Sequence, residues 1–322
     1  MENMLEFEKM RSKLILVTGG LGFIGKHFVK RCLSLGSFVT NVDVVNYAAD
    51  RIANEELKTH KNYRHIASDI ATLSHLPECD YLVNFAAESH VDNSIADNRQ
   101  FCHSNILGVQ RLLELTRAKA KSGAPLFIQI STDEVYGDIP EGRHSERDPL
   151  RPSNPYSATK AAADMLVIGW ARTYGLEYNI VRMTNNYGPN QYPEKLIPKS
   201  AWRMRRGLPA LMHGNGSYLR SWLHVEDSVS AIIMIIEKGE RNSIYNVHGD
   251  HELPNIEVLR KLASILNVPE KDAFIGIPNR VGQDIRYSLD DSRLRSLGWK
   301  PQRVFDEELK KIAIEDDFKR FL

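Results

Sequence analysis

The feature that most constrains the fold is a short apolar strand that runs into a glycine-rich turn and then into an amphipathic helix. Leu14–Thr18 is rich in β-forming residues, and residues 18–25 read TGGLGFIG. Apolar residues then recur at helical spacing as far as Gly36. Glycines let a backbone approach a pyrophosphate closely, and the start of a helix supplies free N–H groups and a positive dipole end. The segment therefore predicts a dinucleotide-binding turn, the alternative being a tight turn without a ligand.

Strand-like and helical patterns continue to alternate after this turn. The predicted strands are residues 39–45, 63–67, 80–86, 126–131, 177–183, 243–247 and 274–277. The predicted helices are residues 105–122, 157–174, 225–238, 256–266 and a C-terminal helix from about Phe305. This alternation is typical of parallel strands joined by right-handed crossovers, so we expect a doubly wound (Rossmann) α/β fold.

Prolines and glycines become frequent after Arg182 and interrupt the alternation of strands and helices. We expect residues 1–181 to form a cofactor-binding domain and residues 182–322 a smaller C-terminal α/β substrate-binding domain. The helix and strand predicted near 222–248 are expected to return to the main sheet. Residues 1–13 are predicted to be a frayed extension before the first strand, the alternative being a docking helix.

Charge and cysteine content limit the class of partner. The chain has 42 Lys plus Arg against 41 Asp plus Glu, a net charge of +1, so it lacks the positive field that nucleic acid or an anionic membrane surface attracts. No apolar run approaches the roughly 18 residues of a membrane span. Cys32, Cys79 and Cys102 lie far apart. We therefore expect a small ligand, no metal site and a reducing, cytoplasmic location.

Residues at the ends of the next predicted strands suit a dinucleotide. Asp43 ends the second strand, where a carboxylate can accept hydrogen bonds from a ribose and repel a 2′-phosphate, which favours NAD over NADP. Asp69 and Ile70 follow the third strand, where an adenine could rest. The small residues of Phe85-Ala86-Ala87 follow the fourth, although sheet-to-helix packing also explains them.

Tyr156 and Lys160 open the long helix predicted at 157–174, and their spacing puts the phenol and the ammonium on one face. A nearby ammonium is expected to lower the pKa of the phenol, so Tyr156 could take the proton of a sugar hydroxyl. Alone, such a pair is more often an ordinary surface pair. Here it follows a sheet that already carries a predicted dinucleotide site.

Asp133 and Glu134 are adjacent carboxylates at the carboxyl end of a predicted strand, where doubly wound sheets keep their ligands. One acid and one base acting on neighbouring carbons would suit such a pair, and an oxidation alone needs neither. The alternative is a solvated loop pair.

With these residues, the sequence resembles the extended short-chain dehydrogenase/reductase proteins, and among them the nucleoside-diphosphate-sugar 4,6-dehydratases, of which dTDP-glucose 4,6-dehydratase is the best-known type. The resemblance runs from Leu14 to about Pro301. It rests on TGGLGFIG, NFAAESHVDNSI (84–95), STDEVYG (131–137), NPYSATKAAAD (154–164), NNYGPNQYPEKLIP (185–198) and LRSWLHVED (219–227). STDEVYG is the discriminating stretch, because related epimerases and decarboxylases usually lack its Asp-Glu pair.

The resemblance implies an NAD-dependent reaction in which Tyr156 is the base for oxidation at sugar C4, Glu134 removes the C5 proton and Asp133 protonates the departing C6 hydroxyl. It gives Thr132 a hydrogen bond to the C4 oxygen and places Lys160 on the nicotinamide ribose. The implied cofactor residues are Gly19, Gly22, Phe23, Ile24, Gly25, Asp43, Asp69, Ile70, Phe85, Ala86, Ala87, Ser104, Tyr156, Lys160 and Asn186. The implied substrate residues are Ser89, Thr132, Asn185, Lys195, Leu196, Arg220, Asn246 and Arg280.

The resemblance also implies a homodimer through a four-helix interface, formed by the helices around 105–121 and 157–173. Their apolar residues beyond one stripe are Leu112, Leu113, Leu115, Met165, Ile168 and Trp170. Core packing also explains some of these residues.

Two departures from the family pattern leave the substrate open. Residues 280–284 read RVGQD where the family usually has RPGHD, and residues 208–214 read LPALMHG where a Pro-x-Tyr-Gly flanks the base. The alternatives are a UDP-glucose 4,6-dehydratase, a GDP- or UDP-N-acetylhexosamine 4,6-dehydratase and a nucleotide-sugar 4-epimerase. A non-catalytic NAD-binding sensor or structural protein is a further alternative, since fold does not fix function.

Overall fold

Two groups of strands organise the chain. The computed structural model describes residues 8–120, 123–316 and 318. The strands are β1 Leu14–Thr18, β2 Phe38–Asp43, β3 Tyr63–Ala67, β4 Tyr81–Asn84, β5 Leu126–Thr132, β6 Tyr178–Met183, β7 Asn185–Tyr187, β8 Ala210–His213, β9 Leu219–His224, β10 Ser243–Val247, β11 His251–Pro254 and β12 Phe274–Ile277. Seven of them form one parallel sheet in the order β10-β6-β5-β4-β1-β2-β3. The predicted doubly wound fold is confirmed.

Helices cover both faces of this sheet. The α-helices are α1 Phe23–Ser34, α2 Arg51–Lys58, α3 Val91–Ala96, α4 Arg99–Cys102, α5 Gly108–Ala118, α6 Pro155–Tyr174, α7 Leu196–Met204, α8 Val225–Lys238, α9 Asn255–Ile265, α10 Glu270–Ala273, α11 Ser292–Ser296 and α12 Phe305–Glu315. Successive side chains of β1 alternate between the layers: Ile15 and Val17 pack with α1 and α8, whereas Leu16 packs with α5 and α6. Among the described residues, no helix has both the length and the apolar character needed to cross a membrane.

The order of the strands fixes where a ligand can bind. β1 pairs with β2 on one side and with β4 on the other, so the winding of the sheet reverses between β1 and β4. Ligands of open parallel sheets bind outside the carboxyl ends of the strands at such a reversal. The glycine turn after β1 lies at this point.

The smaller unit contains the other strands. β11, β9 and β7 form a three-stranded sheet, and β12 pairs with β8. Its core lies among α7, α9 and α12, with Ile197, Leu259 and Ile312 buried together. Between β9 and β11 the chain returns to the large sheet, because α8 packs against it and β10 pairs with β6.

Several elements of the smaller unit were not predicted. β7, β8, β9 and β11 are three to six residues long and stand between prolines and glycines, so their apolar pattern is too short to be read. The helix predicted at 105–122 begins instead with a π-helical turn at His103–Leu107 and ends at Ala118. Residues 121 and 122 of that prediction lie outside the described residues.

The N-terminal prediction is wrong where the structure describes it. Glu8–Met10 forms a 3₁₀ turn, Met10 is fully buried, and its carbonyl accepts a hydrogen bond of 2.7 Å from Ser37 Oγ. Lys9 Nζ also donates to the Glu237 carbonyl at the end of α8. This segment is therefore anchored rather than frayed, because the buried side chain of Met10 and two hydrogen bonds hold it against the core. Residues 1–7 lie outside the described residues.

We expect Met10→Ala to lower the free energy of unfolding by about 2–5 kcal/mol, because it removes a fully buried side chain and leaves a cavity. Denaturant titration measures this loss. The neighbouring exposed Arg11→Ala is the control and should change stability little. Equal small losses for both variants would show that the segment does not contribute to the core.

Candidate active site

A cavity of about 670 Å³ opens at the carboxyl ends of the central strands, between the large sheet and the smaller unit. The glycine turn and the ends of β2 to β5 form one wall. Residues of α7, β8, β9 and the segment from Ile277 to Tyr287 form the other wall. A ligand in this cavity would contact both units.

The glycine turn is shaped by close backbone packing. Gly19 has φ of +68°, and a Cβ there would lie 2.6 Å from the Ala86 nitrogen at the end of β4. A Cβ on Gly25 would overlap the Gly19 carbonyl. α1 then starts at Phe23 with Gly22 as its N-cap, without a side-chain cap and without an acidic residue in its first turn. The positive end of this helix therefore faces the cavity with no acidic residue in its own first turn, which suits a pyrophosphate.

Carboxylates at the ends of β2 and β3 are held by the backbone. Asp43 accepts hydrogen bonds of 2.9 Å from the nitrogens of Leu21 and Val45. Burial raises the pKa of Asp43, and these two hydrogen bonds oppose the increase. Asp69 caps the turn after β3 through the Ala71 nitrogen and lies 2.9 Å from His103 Nε2. Both carboxylates line the cavity in fixed orientations.

Thr132, Asp133 and Glu134 lie where β5 ends in a 3₁₀ turn, Asp133–Tyr136. Thr132 Oγ1 accepts a hydrogen bond from the Glu134 nitrogen at 3.2 Å and donates to Asp133 Oδ1 at 3.0 Å. Asp133 Oδ2 is buried and has no hydrogen-bond partner within the described residues. The turn thus presents two carboxyl groups side by side in the cavity.

The surroundings separate the two carboxyl groups chemically. Burial, followed by repulsion from Glu134, raises the pKa of Asp133 to about 8, so Asp133 holds a proton at neutral pH. Burial also raises the pKa of Glu134, but Arg220 and Lys195 act against that increase by stabilising its carboxylate. Asp133 is therefore suited to donate a proton and Glu134 to accept one.

Tyr156 and Lys160 project from the start of α6, which a capping box of Asn154 and Ser157 fixes. The Tyr156 hydroxyl hydrogen-bonds Thr132. The expected lowering of its pKa is not found: burial raises the pKa of Tyr156, and repulsion from Glu134 and Asp133 adds to the increase. Lys160 Nζ instead donates to the Ile130 carbonyl at 2.6 Å, and burial lowers the pKa of Lys160 to about 8.

Three cations lie on the wall of the cavity that the smaller unit forms. Lys195 Nζ donates to the Ser89 carbonyl at 2.7 Å. The Arg220 guanidinium is 7% exposed, donates to the Asp284 carbonyl at 2.9 Å and lies 4.5 Å from the centre of the Tyr287 ring. Arg280 forms a two-pronged ion pair with Asp92 at the start of α3, one contact being 3.0 Å. The last pair ties the segment after β12 to the start of α3 across the cavity.

The structure brings nearly all of the residues predicted for the site to this one cavity. The predicted residues that line it are Gly19, Gly22, Phe23, Ile24, Gly25, Asp43, Asp69, Ile70, Phe85, Ala86, Ala87, Ser89, Ser104, Thr132, Asp133, Glu134, Tyr156, Lys160, Asn185, Asn186, Lys195, Leu196, Arg220 and Arg280.

Asn246 is the exception, because the structure does not bring it to the cavity. It is fully buried on β10. Its Oδ1 accepts a hydrogen bond of 2.9 Å from the Tyr136 hydroxyl, and its Nδ2 donates to the carbonyls of His144 and Asp290. Every polar atom of its amide is thus engaged inside the protein.

Other lining residues were not predicted. Glu194 lies next to Lys195 within a stretch that carried the family resemblance, so its position was available as a signal. His90, Trp222, Gln283 and Tyr287 also line the cavity. No local pattern marks Tyr287, because the packing of its segment against β9 brings it to the site.

Comparison with known proteins decides the family. The family model described as GDP-mannose 4,6 dehydratase matches residues 16–312. The chain belongs to the GDP-mannose 4,6 dehydratase family. This membership confirms the resemblance to nucleotide-sugar 4,6-dehydratases.

Individual relatives span nearly all of this dehydratase-family chain. It is 40% identical over 306 residues to a dTDP-glucose 4,6-dehydratase of Streptomyces niveus, which covers 92% of this chain and 90% of the relative. It is also 40% identical to the low-salt glycan biosynthesis protein Agl12 of Haloferax volcanii, covering 92% of this chain and 96% of that protein. The crystal structure of DesIV, a dTDP-glucose 4,6-dehydratase from Streptomyces venezuelae with NAD bound, has a TM-score of 0.88 and 36% identity, and covers 93% of this chain and 95% of that one.

Because Asp133 is buried and protonated, we expect it to make this dehydratase-family chain less stable as the pH rises. An unfolded Asp titrates near pH 3.9, whereas folding raises the pKa of Asp133 to about 8. Between these values the folded protein keeps a proton that the unfolded chain has released, so this residue lowers stability progressively as pH rises, up to its folded pKa. We expect the melting temperature of Asp133→Asn, relative to that of the wild type, to rise between about pH 5 and about pH 8. Above about pH 8 this difference should become constant.

Melting curves of both proteins across this pH range measure the gain. Asp272→Asn, at an exposed position on α10, is the matched control, and its difference from the wild type should not grow in this way. A difference for Asp133→Asn that is independent of pH would contradict the protonated state assigned to Asp133.

Proposed function

We propose that this chain is an NAD-dependent nucleoside-diphosphate-hexose 4,6-dehydratase, acting on dTDP-glucose or a close analogue. One observation carries this proposal: Asp133 and Glu134 lie beside Thr132 and Tyr156, in the same cavity as the glycine turn. An enzyme that only oxidises or epimerises C4 needs Tyr156 and Thr132 but neither carboxyl group. A dehydratase also needs an acid and a base for the neighbouring carbons.

The residues of the large sheet fit NAD. The uncapped start of α1 would hold the pyrophosphate, Asp43 a ribose, and Asp69 with Ile70 the adenine. Lys160 would hold the nicotinamide ribose. The remaining cofactor contacts are proposed for Gly19, Gly22, Phe23, Ile24, Gly25, Phe85, Ala86, Ala87, Ser104, Tyr156 and Asn186. Bound NAD would accept a hydride from sugar C4 and later return it to C6.

The chain's own groups would handle the protons. Tyr156 holds its own proton in the protein alone, so it would first release that proton to solvent, a loss that the positive charge of bound NAD would favour. As a phenolate beside Thr132 it then takes the proton of the C4 hydroxyl as C4 becomes a ketone. Glu134 removes the C5 proton, which the new ketone acidifies. Asp133 gives its proton to the C6 hydroxyl, which leaves as water. Glu134 then returns a proton to C5, and the proton held by Tyr156 restores Asp133 through solvent. The product is the 4-keto-6-deoxy sugar.

The smaller unit is proposed to bind the nucleotide part. Arg220 and Lys195 supply positive charge for the diphosphate, since a guanidinium pairs well with phosphate oxygens. Ser89, Asn185, Leu196 and Arg280 line the same side. We therefore propose an NAD-binding domain and a nucleotide-sugar-binding domain. β6 runs to Met183 within the large sheet, so the NAD-binding domain comprises residues 1–183 with α8 and β10 rather than 1–181, and the other domain lies in the rest of 184–322.

The test is direct. Purified protein incubated with dTDP-, UDP- and GDP-hexoses should release a product lighter by one water, as measured by mass spectrometry. A product of unchanged mass would indicate epimerisation instead, and no product with any sugar would refute the proposal. Melting shifts with dTDP, UDP and GDP would identify the nucleoside.

We expect Glu134→Gln to slow product formation by about 10²-fold or more, because it removes the base for C5. Binding of NAD should stay unchanged, since Glu134 lies in the turn after β5 and is not among the proposed cofactor contacts. Product mass and bound NAD are measured on the same samples. With substrate present, reduced cofactor should accumulate, because oxidation at C4 does not use Glu134. Loss of NAD from the variant would instead show that the substitution disturbs the fold.

We also propose a homodimer through α5 and α6, located in the cytoplasm. Leu112 and Leu113 do not contribute to the interface, because both are buried in the core of the single chain. The exposed apolar residues here are Leu107, directly before α5, and Met165 and Tyr174 on α6, at 55%, 48% and 44%. The cysteines of the chain are all unpaired, as suits a reducing compartment.

If this interface forms, Met165→Glu should convert the dimer to a monomer, because it places a charge in an apolar contact. Light scattering after gel filtration measures the mass. Ile275→Glu, at an equally exposed apolar position on β12, is the matched control and should leave the mass unchanged. A dimer that survives Met165→Glu would place the interface elsewhere.

A further inference from the structure

A buried polar network holds the chain on both sides of Asp133 and Glu134, and the proposed reaction does not use it. Ser131 precedes the turn on β5, and Tyr136 ends it. Tyr136 is 1% exposed and lies behind the cavity, since it is not part of the lining. Both residues reach the same ion pair.

That ion pair joins α6 to β6. Arg182 Nε donates to Asp164 Oδ2 at 2.9 Å, and both side chains are buried. Ser131 Oγ donates to the same Oδ2 at 3.1 Å. The other arm of Arg182 donates through Nη1 to the Tyr136 hydroxyl at 2.8 Å, and its guanidinium lies 4.7 Å from the centre of the Tyr136 ring. One pair of charges therefore holds the chain on both sides of the turn.

The hydroxyl of Tyr136 has a single orientation. Burial raises the pKa of Tyr136 to about 12, so it remains a phenol and has one proton to donate. That proton goes to Asn246 Oδ1 at 2.9 Å, while the oxygen accepts from Arg182. The Asn246 amide cannot turn over, because its Nδ2 donates to the carbonyls of His144 and Asp290. Both hydrogen bonds of this hydroxyl depend on the ring of Tyr136 lying in this place.

From these contacts we propose that Tyr136 is a positioning residue. With Arg182 and Asn246, it holds Asp133 and Glu134 in the positions that water elimination requires. The inference rests on the proposed function of those two carboxyl groups. It also assigns a role to Asn246, which does not line the cavity and so does not contact the substrate as predicted.

The position of the anchor makes it specific for one step. Asp133 and Glu134 lie within the same short 3₁₀ turn as Tyr136, and the chain leaves that turn at Gly137, where φ is +81°. Tyr156 and Lys160 belong to α6, which keeps its own capping box. Loosening Tyr136 should therefore displace the acid and the base while oxidation at C4 continues. A displacement of about 1 Å costs roughly 10²-fold in rate.

The decisive comparison is between Tyr136→Phe and Tyr245→Phe in the NAD-loaded protein. Tyr245 is an equally buried phenol, its hydroxyl also makes a hydrogen bond, and an arginine also lies against its ring, but it does not touch the turn. We expect Tyr136→Phe to lower kcat about tenfold to 10²-fold with KM unchanged. Reduced cofactor should accumulate during its turnover, as in Glu134→Gln. Tyr245→Phe should keep the wild-type kcat at a similar loss of melting temperature.

Asn246→Ala is the second variant, should Tyr136→Phe not fold. It should also lower kcat with reduced cofactor accumulating and KM unchanged. A rise in KM at constant kcat would instead make Asn246 a substrate contact and overturn the inference. Equal kcat for Tyr136→Phe and Tyr245→Phe would overturn it as well, with the proposed function intact. A wild-type protein that releases no dehydrated sugar would overturn the proposed function and this inference together.

Discussion

The site depends on how closely the backbone after β1 approaches the end of β4. With Gly19 in a left-handed conformation, the turn lies against Ala86, so that α1 can start at Phe23 and direct its first turn into the cavity. Any side chain at Gly19 would separate β1 from β4 at the point where the winding of the sheet reverses. The place of the cavity and the direction of α1 both follow from this contact.

Burial then determines the protonation of the groups in the cavity. It raises the pKa of Asp133 and lowers that of Lys160 until both are about 8, so an acid and a base of very different ordinary strength become comparable. The same burial keeps Tyr156 protonated, and the neighbouring carboxyl groups reinforce this. Ligands that bring or remove charge here will therefore shift several groups at once, because buried charges interact strongly in a low-dielectric interior.

Prediction from sequence succeeded where local pattern and local chemistry coincide. The bounds predicted for Leu14–Thr18, Tyr63–Ala67 and Val225–Lys238 are those of β1, β3 and α8, because each is a continuous buried or amphipathic run with clear ends. The glycine turn and the Asp133-Glu134 pair were likewise visible, since each is a few consecutive residues at a strand end.

What the sequence could not show depends on contacts between distant segments. Lys160 was expected to lower the pKa of Tyr156. The pKa is raised instead, by burial and by Glu134 and Asp133 in the turn after β5. Asn246 was assigned to the substrate, although its partners are His144, Asp290 and Tyr136, which lie far from it in the chain. Neither outcome follows from local spacing.

The path of the chain also has a consequence for synthesis on the ribosome. The outermost strand β10 and the covering helix α8 are made only after β7, β8 and β9 of the other unit. Until they emerge, the face of the large sheet that carries Ile15 and Val17 lacks α8, whose Ile232 and Ile235 complete its core. A nascent chain that has finished its first 181 residues therefore still exposes apolar surface, so the large-sheet unit cannot complete its folding early and is prone to aggregate if translation pauses there.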